Sequence, residues 1–274
     1  MPELPEVQNV IDGLKIEVLN KKLKSIDVKY ERMIENLDEL YSLVGKTIID
    51  IKRRGKFIIF CFSDNLYLVS HLRMEGKYNY LSKKIPFSKH DHVIFDFGED
   101  KNLRYTDVRK FGIMCVRNNN NLFSINPLLK LGYEPFDEKL TVDILYNKLQ
   151  KKKTPIKTSL LDQTIMVGLG NIYVDEVLFT AKVHPKRVSN SVSKAEVSAI
   201  LIATRDILKR AIEAGGTTIY TFTSTHLKPG TYQNYLQVHT KEGEPCFVCG
   251  TKILKIKVGG RSSYFCPHCQ KILE

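Results

Sequence analysis

The chain has 274 residues, 43% of them hydrophobic, and 42 Lys and Arg stand against 30 Asp and Glu for a formal net charge of +12. That balance excludes a disordered chain and suggests two domains plus a small tail, with at least one sizeable core. No apolar run approaches the length of a membrane span and the start, Met1-Pro2-Glu3-Leu4-Pro5-Glu6, is unlike a secretory signal, so the positive excess favours a polyanion, either nucleic acid or an anionic membrane.

A first helix is predicted from Pro5, a favoured first-turn residue, with Val7, Val10, Ile11, Leu14 and Val18 on one face. From about residue 22 to 117 the pattern changes to seven short β-rich runs, at 25–30, 47–52, 56–62, 66–70, 92–97, 103–106 and 113–116. With turn signals between them they predict an antiparallel sandwich or barrel. Cys61 and Cys115 fall in apolar strand-like runs and read as buried free thiols, which points to a reducing cytoplasm.

Past residue 130 helices replace strands. One is predicted over 142–150. Thr154 as N-cap and Pro155 in the first turn open another that runs through Leu161. A glycine-rich turn, 167–171, ends in a capping Asn171 and leads into a helix over 172–181. Ser193-x-x-Glu196 is a capping box. It opens a long helix with Val197, Ile200, Leu201, Leu208, Ala211 and Ile212 on one stripe, and Gly215-Gly216 ends it. Residues 217–235 show no period and read as a long loop.

The tail carries the strongest local signal. Cys246-x2-Cys249 and Cys266-x2-Cys269 supply four thiolates, a donor set that suits one tetrahedral, structural Zn²⁺ and leaves no open position for catalysis. Between the knuckles, Leu254, Ile256 and Val258 alternate with Lys255 and Lys257 as a strand, and Gly259-Gly260 makes the hairpin turn. Arg261 follows at the tip, and residues 262–265 read as the return strand. The tail is too small for a core of its own, so the metal is expected to stabilise it, and no organic cofactor is expected.

Met1-Pro2-Glu3-Leu4-Pro5-Glu6-Val7, taken with the two Cys knuckles, resembles formamidopyrimidine-DNA glycosylase, a bacterial family that excises oxidised purines. The resemblance runs the length of the chain. It includes Arg53-Arg54-Gly55-Lys56, His71-Leu72-Arg73-Met74, Lys89-His90-Asp91-His92, Asp107-x-Arg109-x-Phe111-Gly112, Gly168-Leu169-Gly170-Asn171-Ile172-Tyr173, Gly215-Gly216-Thr217-Thr218 and Gly260-Arg261-Ser262. It implies an α+β protein: an N-terminal helix and antiparallel β-sandwich over 1–131, a helical helix–two-turn–helix domain with a lesion-capping loop over 132–235, and a zinc-binding hairpin over 236–274. It further implies a monomer acting on double-stranded DNA with an oxidised base, in the cytoplasm at the nucleoid and away from membranes.

The resemblance also assigns roles. Pro2, exposed by removal of Met1, would attack the sugar C1′ as a secondary amine. An α-amine is roughly 400-fold richer in free base at neutral pH than a lysine, and the nearby helix N-terminus disfavours its protonated form further. Glu3 would shuttle protons. Lys56 would serve β-elimination, although taken alone a solvated Lys is the simpler reading. Arg261 would serve δ-elimination. Met74, Arg109 and Phe111 match the trio that fills the void left by an everted base, whereas by residue type alone Met74 and Phe111 read as sandwich core. Asn171, Lys152, Lys157, His90 and His71 would contact DNA, with a structural role the alternative for His90. Asp162, Asp175 and Glu176 read as surface or capping acids without a catalytic role.

The sequence departs from the family pattern at four places. Val108 replaces the usual Pro, Lys110 the usual second Arg, Tyr220-Thr221-Phe222 the usual basic–acidic–Phe, and Thr240 the common Gly. The nearest rival reading is the sister family that removes oxidised pyrimidines, which Leu4, the long 217–235 loop and the Met74, Arg109 and Phe111 set disfavour. A non-catalytic binder of damaged DNA is disfavoured by the intact Pro2, Glu3 and Lys56.

Overall fold

The computed structural model describes residues 1–217 and 229–272. The chain forms two compact units, Met1–Leu129 with Gly215–Gly230, and Lys130–Ala214 with Thr231–Glu274. The segment Tyr220-Thr221-Phe222, expected to cover an everted base, lies outside the described residues.

The first unit opens with helix α1, Leu4–Val18, whose predicted apolar face is buried. Strand β1 is Ser25–Val28, a short helix α2 is Leu37–Tyr41, and β2 to β4 are Ile48–Arg54, Phe57–Phe62 and Leu66–His71. Strands β5 to β8 follow at Lys77–Ser82, Asp91–Asp96, Lys101–Thr106 and Ile113–Asn118. They form two four-stranded sheets, β1-β6-β7-β5 and β2-β3-β4-β8, with every pairing antiparallel. Apolar side chains from both sheets and α1 share one core, which is why β3 reads as an unbroken apolar run. The expected sandwich is present with one strand more than predicted. That strand, β5, buries only Tyr78 and Tyr80 between polar residues, and α2 is fixed by Asn36 capping the Asp38 and Glu39 N–H groups.

In the second unit helix α3 is Val142–Gln150, capped by the Thr141 hydroxyl. Helix α4 is Ile156–Leu160 and α5 is Asn171–Thr180. Both start one residue from the predicted place, with Pro155 and Gly170 in the cap positions. Helix α6, Lys194–Glu213, has the predicted capping box, with the Ser193 hydroxyl accepting from Glu196 N at 3.2 Å and the Glu196 carboxylate from Ser193 N at 2.8 Å. Gly215 and Gly216, both at positive φ, follow its end. Strands β9, Leu254–Val258, and β10, Arg261–Phe265, form the tail hairpin. Its turn residues Gly259 and Gly260 have φ of 54° and 77°, the positive pair that a two-residue turn between twisted strands needs.

The tail does not stand apart from the helices. Phe179 of α5 packs in one cluster with Val238, Cys246, Ile253 and Cys266, and the Gln270 amide donates to Val183 O at 2.9 Å. Two acids expected at helix surfaces are buried here. Glu176 accepts the backbone N–H groups of Gln237, Val238 and His239 at 2.8–3.0 Å. Asp175 accepts from Lys157 Nζ at 2.7 Å and Tyr264 N at 3.3 Å, and its other carboxylate contact is His239 Nδ1 at 2.9 Å.

Candidate active site and nucleic-acid interface

The start of α1 is tightly built. Pro2 is buried, Glu3 is 2% exposed and serves as N-cap, and Glu3 and Glu6 exchange side chain and backbone in a reciprocal capping box. Glu6 Oε2 accepts from Glu3 N at 2.9 Å, and Glu6 Oε1 accepts from Thr217 N at 2.9 Å and from the Thr217 hydroxyl at 3.1 Å. Gly216 is tight against this carboxylate, since a Cβ there would come within 2.8 Å of Glu6 Oε1. Glu6 therefore ties the backbone of Glu3 to a segment more than two hundred positions away. Sequence reasoning treated Glu6 only as part of a motif.

Lys56 occupies the two-residue turn between β2 and β3, after Gly55 at φ 56°. It is 5% exposed rather than solvated. Its ammonium lies close enough to the N-terminus to act on the amine electrostatically, as do Glu3, Glu6 and Glu75. Burial holds the Met1 α-amine below its ordinary value, and the Lys56 charge adds to that lowering. Pro2, Glu3 and Lys56 are thus brought together within the first unit.

Two loops of the same unit carry Met74, Arg109 and Phe111, the residues expected to act as a wedge. Met74 is 40% exposed and Phe111 51%, so neither is core. The Arg109 guanidinium stacks 4.6 Å from the Phe111 ring centroid, which holds both side chains outward together. The Asp107 carboxylate organises that loop by accepting from Arg109 N, Phe111 N and Gly112 N at 2.8–3.0 Å. An Asp two residues before the turn is the signal from which this role could have been read. His90 is half-buried, its carbonyl accepts from Asp107 N at 3.0 Å, and its buried Nδ1 has no hydrogen-bond partner among the described residues. His71 is 7% exposed, and its Nδ1 accepts from Arg73 N at 3.0 Å. Burial, with the charges of Arg73 and Lys56 adding to it, pushes His71 down to about 3, so it offers a phosphate no positive charge.

In the second unit Asn171 is the first residue of α5, and its buried Oδ1 has no hydrogen-bond partner among the described residues. Lys152 is partly exposed and salt-bridged to Asp162 at 3.0 Å. Lys157 departs from expectation. It is fully buried, its ammonium pairs with Asp175 and also donates to Ser262 O at 2.7 Å, so it is not on a DNA-facing surface. The reason is long-range: its counter-ion lies on the next helix. Arg261 is exposed beside the hairpin turn, and Lys255 and Lys257 are exposed on β9.

The four tail cysteines bring their Sγ atoms within 4.8 Å of one another. The Cys246–Cys269, Cys249–Cys266 and Cys249–Cys269 sulfur separations are 3.9, 3.5 and 3.5 Å. A tetrahedral ZnS4 centre requires edges of about 3.8 Å, so the donor set fits one zinc ion that this knuckle pair closes completely. The ion would supply folding stability and no reaction chemistry. Among the described residues no helix is long and apolar enough to cross a membrane.

Comparison with known proteins agrees with this architecture. The formamidopyrimidine-DNA glycosylase N-terminal domain model matches residues 1–114, the family's H2TH domain model matches 131–223, and a zinc finger found in FPG and IleRS matches 243–272. A formamidopyrimidine-DNA glycosylase from an Exiguobacterium species is 47% identical over 275 residues, covering 99% of this chain and 100% of that protein. One from Mycoplasma mobile is 45% identical over the same fractions. The structure superposes on a Lactococcus lactis FPG mutant bound to Fapy-dG DNA with a TM-score of 0.93, at 42% identity over 99% of this chain and 100% of that one. The Lactococcus lactis enzyme bound to abasic-site DNA matches with the same score and identity over 98% of this chain and 100% of that one. With three models matched in chain order and relatives aligned from end to end, the chain belongs to the formamidopyrimidine-DNA glycosylase family of DNA-repair enzymes.

Proposed function

We propose that the protein removes oxidised purines, 8-oxoguanine and formamidopyrimidines, from duplex DNA and then cleaves the abasic site. The observation that carries this reading is the convergence of buried Pro2, Glu3 and Lys56 at the start of α1. After removal of Met1, the Pro2 nitrogen attacks C1′ and the glycosidic bond breaks, with its electron pair and a proton leaving on the base. Ring opening leaves an iminium between Pro2 and C1′. Loss of a C2′ proton then expels the 3′ phosphate. A second elimination expels the 5′ phosphate. Glu3 relays protons at the amine and the opening sugar, Lys56 serves the first elimination and Arg261 the second.

Met74, Arg109 and Phe111 enter the vacated stack, with Arg109 presenting its donor fork to the unpaired base. His90, Lys152 and Asn171 grip phosphate, and His71 contributes as a neutral group. In this reading residues 1–131 carry the nucleophile, 132–235 hold the strand and cover the everted base, and 236–274 present Arg261. The protein works as a monomer in the cytoplasm, on nucleoid DNA.

Borohydride reduction during turnover on duplex DNA containing 8-oxoguanine tests the mechanism. A covalent protein–DNA adduct is expected, and Pro2→Gly should impair excision while leaving lesion binding largely intact. Absence of the adduct with correctly processed protein would falsify the Schiff-base route.

A further inference from the structure

The loops carrying Met74 and Arg109 with Phe111 end on glycines that touch the same atom. Gly76 closes the first loop immediately before β5, and Gly112 closes the second immediately before β8. A Cβ on Gly76 would lie 2.2 Å from the Tyr105 hydroxyl oxygen, and a Cβ on Gly112 only 1.7 Å from it. Neither glycine has a positive φ, so backbone conformation does not demand glycine at either place. The demand is room for one phenol oxygen.

Tyr105 lies in β7, paired across the sheet with Tyr78 and Val93. Its ring stands 5.1 Å from that of Tyr78, edge to face, and the side chain is fully buried. Among the described residues no group hydrogen-bonds to its hydroxyl, and burial pushes the phenol above its ordinary range, so it stays neutral. An unpaired buried hydroxyl is a cost with no local return. Phenylalanine would fill the same site without that cost. What the oxygen adds is length, in the one direction where two glycines of different sheets converge.

We infer that the Tyr105 hydroxyl is a spacer that fixes the separation of the two wedge loops, and so positions Met74 against Arg109 and Phe111. Each loop is already stiff along its own chain. Gly76 N donates to Leu72 O at 2.9 Å, and Asp107 binds three backbone N–H groups of the other. Arg73 and Lys110 hold positive φ of 55° and 58° beside the wedge residues. With both loops internally rigid, the remaining freedom is their distance from each other, and Tyr105 is the group in contact with both. Tyr105 is a positioning residue: it lies behind the wedge and does not touch DNA.

The inference rests on the proposed role of the trio, so the test separates the two. The Tyr105→Phe protein is compared with wild type and with Phe111→Ala by three measurements: melting temperature, fluorescence of 2-aminopurine beside the lesion as a report of unstacking, and cleavage of a single-stranded abasic site. Tyr105→Phe is expected to melt no lower than wild type and to cleave the single-stranded site at the wild-type rate. Unstacking and excision on duplex are expected to slow by roughly 10- to 100-fold, the penalty for displacing aligned groups by about an ångström. A merely structural tyrosine predicts the opposite pairing, with duplex excision changing only as far as stability does. Wild-type duplex rates in Tyr105→Phe, or a lowered melting temperature, would overturn the spacer. If Phe111→Ala also excises normally from duplex, the failure lies with the wedge reading itself.

Discussion

Lys157 Nζ lies 2.7 Å from Asp175 Oδ1, and both side chains are wholly shielded from water. The pair joins α4 to α5, and through Ser262 O, His239 and Tyr264 N it reaches the tail hairpin beside Arg261. Two charges buried at this depth hold only because each finds further polar partners.

Removing one member should therefore cost more than removing both. Lys157→Met is expected to destabilise by about 3–5 kcal/mol, because it leaves a buried carboxylate short of its cation. Adding Asp175→Leu should recover part of that loss, less the bonds of Asp175 to His239 and Tyr264. Urea unfolding of the single and double variants measures the difference. A double variant weaker than the sum of the two singles would refute the pairing.

Acid should act through His71. Its ordinary value is 6.5 and its folded value is about 3, so between these the unfolded chain binds the extra proton. Stability from this group is complete above pH 6.5 and drains away as pH falls toward 3. By pH 4.5 the loss amounts to about 2.5 kcal/mol. His71→Gln should lack this component, visible as a shallower fall in unfolding free energy between pH 7 and 4.5. Parallel curves for the two proteins would exclude it.

Zinc withdrawal should be felt beyond the hairpin. Cys246 and Cys266 share their cluster with Phe179 of α5, so chelation or Cys266→Ser loosens the helical unit as well as the tail. Structural zinc contributes on the order of 10 kcal/mol in isolated finger peptides. Lesion binding and excision are expected to fall together, although Pro2 is untouched. Anisotropy and gel assays before and after metal removal provide the check, and full activity in metal-free protein would remove Arg261 from the mechanism.

Thr240 should be a site of recoverable stability. It holds φ of 65°, a left-handed conformation that a β-branched residue rarely adopts, at a place where the sequence pattern led us to expect glycine. Thr240→Gly is expected to raise stability by ~1 kcal/mol. Thermal unfolding decides, and a decrease would show that the Thr240 hydroxyl bond to His239 O, 2.6 Å long, outweighs the strain.

Local chemistry was legible wherever one residue's neighbours in sequence are also its partners. The capping box at Ser193 and Glu196, the Gly259-Gly260 turn and the four-cysteine cluster are of this kind. Strand β5 was not legible, because its buried side chains are two tyrosines in a polar run. Arg104 was not legible either. The sequence places it only within a strand, 103–106, yet it is fully buried, with carbonyls of Ser82, Ile85 and Pro86 and the carboxylate of Asp91 around it. Lys157 failed for the same reason: a lone Lys between Ile156 and Thr158 gives no hint of a counter-ion eighteen residues on. In the candidate site the residue types were readable, but the burial that sets their chemistry was not.

The bonds from Glu6 to Thr217 also set an order of events during synthesis. At about 5–20 residues per second, the ribosome needs roughly 10–40 s to deliver Thr217 after starting the chain. Until then the carboxylate near Pro2, the proposed nucleophile, lacks two of its partners. The N-terminal unit, which includes the returning segment 215–217, can assemble its sandwich early but completes the surroundings of Pro2 only when most of the chain exists. A truncated product released before that point would carry the amine without the setting that tunes it.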